Sequence, residues 1–191
     1  MLLTRSRLPG LLVIAVLCLA AAPPLSAQEA GRFEIRNAFV ERHEGTWQLN
    51  VRLDLALSKS AQEAFDEGVP LLLELEAEAS VSRRFLPDET VVAWSHSWQL
   101  AHDAIADRYV VTDTASGEQV SHATQDEALA ALARIVALPF APETELAAGQ
   151  RFDMRVRATV EVGELPTAIK MLIFWKSWTR STDWYGWKVR P

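Results

Sequence analysis

The chain has 191 residues, with 25 acidic against 19 basic side chains and a net charge of −6. That length suits one domain with a sizeable core, and the acidic balance disfavours nucleic acid and anionic lipid headgroups as partners. With a single cysteine, Cys18, no intrachain disulfide can form.

The first segment reads as a leader. Arg5 and Arg7 precede an unbroken apolar run from Leu11 to Ala22, and Pro23-Pro-Leu-Ser-Ala27 follows. This is the layout of a secretory signal peptide over residues 1–27, with Leu25 larger than the usual small residue at −3. An uncleaved inner-membrane anchor is the alternative, and the run is short of the roughly 20 residues of a bilayer span. Cys18 follows Leu17, so it reads as a leader hydrophobe and not as a lipidation site. Residues 28–191 are then a single β-rich domain of the periplasm or cell envelope, free of cysteine and with no stable membrane span. Losing Arg5 and Arg7 leaves 17 basic and 25 acidic side chains, a net charge of −8.

Arg32 to Val40 alternates loosely and predicts a first strand. Trp47, Leu49, Val51, Leu53, Leu55 and Leu57 alternate with Gln48, Asn50, Arg52 and Asp54. A period of two over this length means a strand with one dry and one wet face, as antiparallel sheets have. Ser60-Ala-Gln-Glu63 fits a capping box and predicts a short helix over Ser60–Glu67, ended by Gly68. Val69–Ala79 resumes the alternation, with Glu74, Glu76 and Glu78 on a solvated face. Thr90–Leu100 is the next strand, with Val92, Trp94, His96, Trp98 and Leu100 on one side.

Asp107–Asp113 and Gln119–Ala123 predict a hairpin closed through Ala115-Ser-Gly-Glu118. Thr124-Gln-Asp-Glu127 is a second capping box. Leu129, Leu132, Ala133 and Val136 follow at helical spacing and predict a helix over Thr124–Ala137. Ala141–Gly149 reads as a loop. Phe152–Val162 alternates as a long strand, and Pro166 opens a third helix reaching about Trp178. The expected architecture is mainly β (α+β), an antiparallel sandwich or strongly curved sheet with two to three short helices packed on it.

These residues resemble the bacterial secreted family named domain of unknown function 4390. The likeness is carried by Thr46–Leu57, Gly68-Val-Pro-Leu71 with Glu74-Leu-Glu76, and Asp88-Glu89. It continues through Tyr109-Val-Val111, Thr124-Gln-Asp-Glu-Ala-Leu129, Leu165-Pro166 and Ser181-Thr-Asp-Trp-Tyr185. The sequence departs at Arg83-Arg-Phe-Leu86, where the family often has a more aromatic run. The resemblance brings no catalytic residues. It implies an envelope role alongside a two-component sensor kinase of the nitrogen-regulation type.

No catalytic motif is visible: there is no nucleophile elbow, phosphate loop or dinucleotide fingerprint. His96 and His102 with Asp103 match no common metal spacing, and His96 reads as half-buried between Trp94 and Trp98, with His102 and His122 in loops. Ser95 and Ser97 flank His96 but point to the opposite face of a strand. Neither catalytic residues, a metal nor a cofactor is expected. The aromatic residues are the better lead. Trp94, Trp98, Trp175, Trp178, Trp184, Tyr185 and Trp187 are candidate binding residues, because tryptophan buries much area with few rotamers. The alternative is that they are core. The expected activity is binding, by a monomer, of an envelope protein or of a small apolar ligand such as an acyl chain or peptide. An unrecognised hydrolase is the remaining reading.

Overall fold

The computed structural model describes residues 31–146, 149–162 and 179–190. Strict alternation builds most of it. Strands β1 (Arg32–His43), β2 (Thr46–Ala56) and β7 (Arg134–Pro142) form a small sheet in the order β1-β2-β7. A larger sheet runs β10 (Tyr185–Val189), β8 (Phe152–Val162), β3 (Leu71–Val81), β4 (Glu89–Asp103), β5 (Arg108–Asp113) and β6 (Gln119–His122). β9 (Thr179–Ser181) also pairs with β8. All these pairings are antiparallel.

The dry faces of the two sheets meet. Trp47, Leu49, Val51 and Leu53 of β2 are buried, as are Leu71, Leu73, Leu75, Ala77 and Ala79 of β3 and Phe152, Met154, Val156, Ala158 and Val160 of β8. Apolar area removed from water holds these layers together, at about 25 cal/mol per Å². The small sheet covers only part of the large one, so the arrangement is sandwich-like and not closed.

Two helices lie among the described residues, α1 (Lys59–Asp66) and α2 (Gln125–Leu132). The third expected helix, to Trp178, lies outside the described residues. The α1 cap is Ser58 and not Ser60: the buried Ser58 Oγ accepts from the Ala61 N–H at 3.3 Å, and Ser60 Oγ contacts Ser58 Oγ at 3.1 Å. Both serines suit a cap, and the inner one wins because it is the one closed off from water. Gly68 ends α1 in the left-handed region, with Val69 N–H returning to the Ala64 carbonyl at 3.1 Å. The Thr124 capping box of α2 is formed as expected.

The expected helix through Ala137 is overturned. α2 stops at Leu132, and Arg134–Pro142 is β7, paired to the open edge of β2. Pro139 sits in this edge strand, where a missing N–H is tolerated. A register shift at Leu49/Val51 leaves Ala137 at φ 55°, and Asn50 Oδ1 accepts the Ala137 N–H at 3.0 Å. The expected loop therefore starts after Pro142. His102 lies within β4 and His122 ends β6, so neither is a loop residue. The three glutamates of β3 do face outward, and two are paired: Arg155 Nε donates to Glu78 at 2.8 Å and Arg157 Nε to Glu76 at 2.8 Å.

Candidate functional site

The motif Ser181–Tyr185 lies on the outer edge of the large sheet, where it interrupts one strand and starts the next. Between β9 and β10 the ladder to β8 is kept by Thr182. Its N–H donates to the Ala158 carbonyl at 2.9 Å, and its Oγ1 accepts from the Ala158 N–H at 3.1 Å. A side chain thus stands in for a backbone carbonyl, and the buried Thr182 leaves no orphaned group at Ala158. The detour turns Trp184 onto the charged face of β8, where its ring lies 4.6 Å from both the Arg155 and the Arg157 guanidinium carbons. Cation–π attraction and the Glu78 and Glu76 ion pairs hold this row of side chains together.

Tyr185 and Trp187 sit on the opposite, core-facing side, in register with Val156 and Met154. A groove of about 440 Å³ runs beside the motif, between it and the start of β1, with Phe33, Ile35, Asp183, Trp184 and Tyr185 in its walls. Arg180 Nη1 donates to the Gly31 carbonyl at 3.3 Å near the same edge.

The other candidate tryptophans lie elsewhere. Trp94 and Trp98 are half-buried on the core face of β4, with His96 between them at ring distances of 5.6 and 4.6 Å. Trp94 also meets the edge of Phe140 at 6.2 Å. β3 and β8 separate this strip from Tyr185 and Trp187. The structure therefore brings Trp184 and Tyr185 to one groove, and it does not unite them with Trp94 and Trp98. Trp175 and Trp178 lie outside the described residues.

Beyond Trp98, an apolar cleft of about 270 Å³ opens between β6 and β7, lined in part by Val111, Val120, His122, Leu132 and Leu138. His122 Nε2 is buried there without a hydrogen-bond partner among the described residues. Sequence reasoning missed this cleft because its second wall is β7, which the helical spacing concealed.

His96 Nε2–H donates to Asp113 Oδ2 at 2.6 Å. Burial pushes the Asp113 carboxyl upward, the largest single influence on it. The Ser116 N–H, His96 and the Ala115 N–H together outweigh burial and hold it below the ordinary value. Ser95 and Ser97 project from the other face, and Ser97 Oγ is engaged with Thr114 Oγ1 at 2.6 Å. The His–Asp pair thus ties β5 and its turn to β4, with no hydroxyl from a flanking serine beside it.

A pH dependence follows. A carboxyl lowered on folding contributes stability that is present above its unfolded pKa, about 3.9, and is lost as pH falls through the folded value. Asp113→Asn should cost about 1.5–3 kcal/mol at pH 7, the range for hydrogen bonds to charged groups. The difference between wild-type and variant melting temperatures should shrink as pH is taken from 5 towards 2. A constant difference would show that the ionised carboxylate is not the source.

Among the described residues no group of three or more His, Cys, Asp or Glu side chains is placed to hold a metal ion. Among them, too, no helix is long and apolar enough to cross a membrane. No curated protein and no solved structure matches the chain. A family model described as "Domain of unknown function (DUF4390)" matches residues 30–188. That match runs from just before β1 to the penultimate residue of β10, and it contains the Ser181–Tyr185 detour, the groove and the apolar cleft. The chain therefore belongs to the DUF4390 family.

Proposed function

We propose that this protein is an exported, non-catalytic binding module of the cell envelope, which takes a segment of another envelope component into the groove beside Trp184. The observation that carries this reading is the groove of about 440 Å³ walled by Phe33, Trp184 and Tyr185. The exposed wall of the groove is mainly polar: Trp184 and Tyr185 supply contact area, and Glu34, Ser181 and Asp183 supply polar groups that fix orientation. Export rests on the basic and apolar leader ahead of Ala27. A sensor kinase system in the same envelope supplies a class of partner.

The apolar cleft at Trp98 supports a second reading, a carrier of a small apolar ligand, because its walls are largely apolar and pocket-shaped.

Native mass spectrometry of the chain purified gently from its own envelope separates the two. A retained protein subunit that is lost in Trp184→Ala, with the fold kept by circular dichroism, is the expected result. A retained small apolar mass that survives Trp184→Ala favours the carrier. A subunit that stays bound to Trp184→Ala at wild-type level, or a bare wild-type chain, overturns the groove reading.

A further inference from the structure

On the outer face of the small sheet, two arginines face each other across neighbouring strands. Arg52 of β2 and Arg134 of β7 are direct register partners. Like charges placed directly opposite destabilise a sheet. Both side chains are exposed, and neither has a hydrogen bond or an ion pair among the described residues.

The other strand arginines among the described residues differ in this respect. Arg32 and Arg36 share Asp54, Arg42 has Glu143, and Arg155 and Arg157 have Glu78 and Glu76. Arg108 bonds to Ser121, and Arg180 to the Gly31 carbonyl. In a chain with 25 acidic residues, an uncompensated arginine pair stands out.

The acids closest by register are already engaged. The Arg36 and Arg32 hydrogen bonds hold the Asp54 carboxyl below its ordinary value, Glu34 pairs with Arg36, and Glu41 accepts from Asn50. The arginine pair borders a pocket of about 300 Å³ that Asn37, Phe39, Asn50 and Val136 also line. Phe39 and Val136 are 45% and 58% exposed. Asn50 forms a fixed floor, bonded to both Glu41 and Ala137.

We infer that this pocket binds an amphipathic organic carboxylate, its headgroup held between Arg52 and Arg134 and its apolar body lying on Phe39 and Val136. Two guanidiniums match a carboxylate through parallel N–H···O bonds, and bound anion cancels the repulsion that the empty pair carries. The exposed Phe39 and Val136 explain why the anion should carry a hydrocarbon part rather than being a bare inorganic ion.

The test titrates the purified domain with octanoate and follows backbone amide shifts by NMR. Acetate supplies the charge without the chain, 1-octanol the chain without the charge, and inorganic phosphate the anion of another class. Octanoate should bind at least tenfold more tightly than any of the three, with shifts centred on residues 37–39, 50–52 and 134–136. Arg52→Gln and Arg134→Gln should each weaken it about tenfold or more, and each should melt no lower than wild type without ligand, since repulsion is relieved. Trp184→Ala should leave octanoate binding unchanged, which separates this site from the groove; shifts at residues 37–39 and 50–52 and the loss in Arg52→Gln separate it from the apolar cleft, whose wall shares Arg134 and Val136. The inference fails if octanoate binds no better than acetate, if 1-octanol or phosphate matches it, or if the arginine variants bind it as wild type does.

Discussion

Leu75→Ala should remove about 3–5 kcal/mol of stability, the upper part of the range for a buried leucine. Leu75 is fully buried at the middle of β3, the strand flanked on both sides in the large sheet, and its register partners are Ala158 on β8 and His96 on β4. Of the neighbours on its own face, Ala77 and the cross-strand Ala158 are too short to swing into the vacated space, and the cross-strand His96 is held by Asp113, so the cavity should stay largely open. Against a total of about 5–15 kcal/mol this is a large share, and at roughly 2–4 °C per kcal/mol the melting temperature should fall by about 6–20 °C. Leu75→Met keeps the volume and should cost under about 1.5 kcal/mol. Urea unfolding of both variants checks this: the midpoint should fall far more for alanine, with the slope unchanged. Equal losses would mean that side-chain shape and not cavity volume sets the cost.

Gly31→Ala should be the second costly change, at about 2–4 kcal/mol, although it adds one methyl group. Gly31 has φ 66°, and a Cβ there would lie 2.6 Å from the Ala56 carbonyl oxygen, 2.6 Å from Ser58 N and 2.9 Å from the Leu57 carbonyl carbon. All three are backbone atoms, so relief requires moving the end of β2 or the Ser58 cap of α1. Gly45 is the control. It has φ 79° and nothing within 4 Å of an added Cβ, so Gly45→Ala should cost only the left-handed backbone term, about 1–2 kcal/mol. Thermal melts of the two variants distinguish strain from collision, and equal costs would show that space at Gly31 is not limiting.

Much of the large sheet was legible in the sequence because its strands alternate without interruption. Leu71–Val81 and Phe152–Val162 each have one buried face, and a slip of one residue would turn that face to water. β7 was not legible. Leu129, Leu132, Ala133 and Val136 satisfy helical spacing, yet the chain leaves the helix at Ala133, because β2 offers an edge that Ile135 and Leu138 fill in register with Val51 and Leu49. Tertiary pairing overrode a local pattern that was itself consistent.

The candidate site was half legible. Trp184 and Tyr185 stood out by residue type, but nothing local indicates that Thr182 replaces a ladder carbonyl, or that this turns adjacent aromatics to opposite faces. The Arg52–Arg134 pairing was hidden for the same reason as β7: its register exists only once that strand does.

The sheet order β10-β8-β3-β4 has a consequence for how the molecule is made. β3 pairs with β4 soon after both emerge, but its other edge waits for Phe152–Val162, some eighty residues later, and β8 in turn waits for Tyr185–Val189. A nascent chain that ends before Phe152 therefore carries β3 as a long unpaired edge with an apolar face, a template for another chain's strand. Such a topology, dominated by distant pairings, folds on the slow side of the two-state range, in milliseconds to seconds. The large sheet can thus be completed only when the last strands arrive, and a fragment released before Phe152 should be prone to aggregate through that open edge.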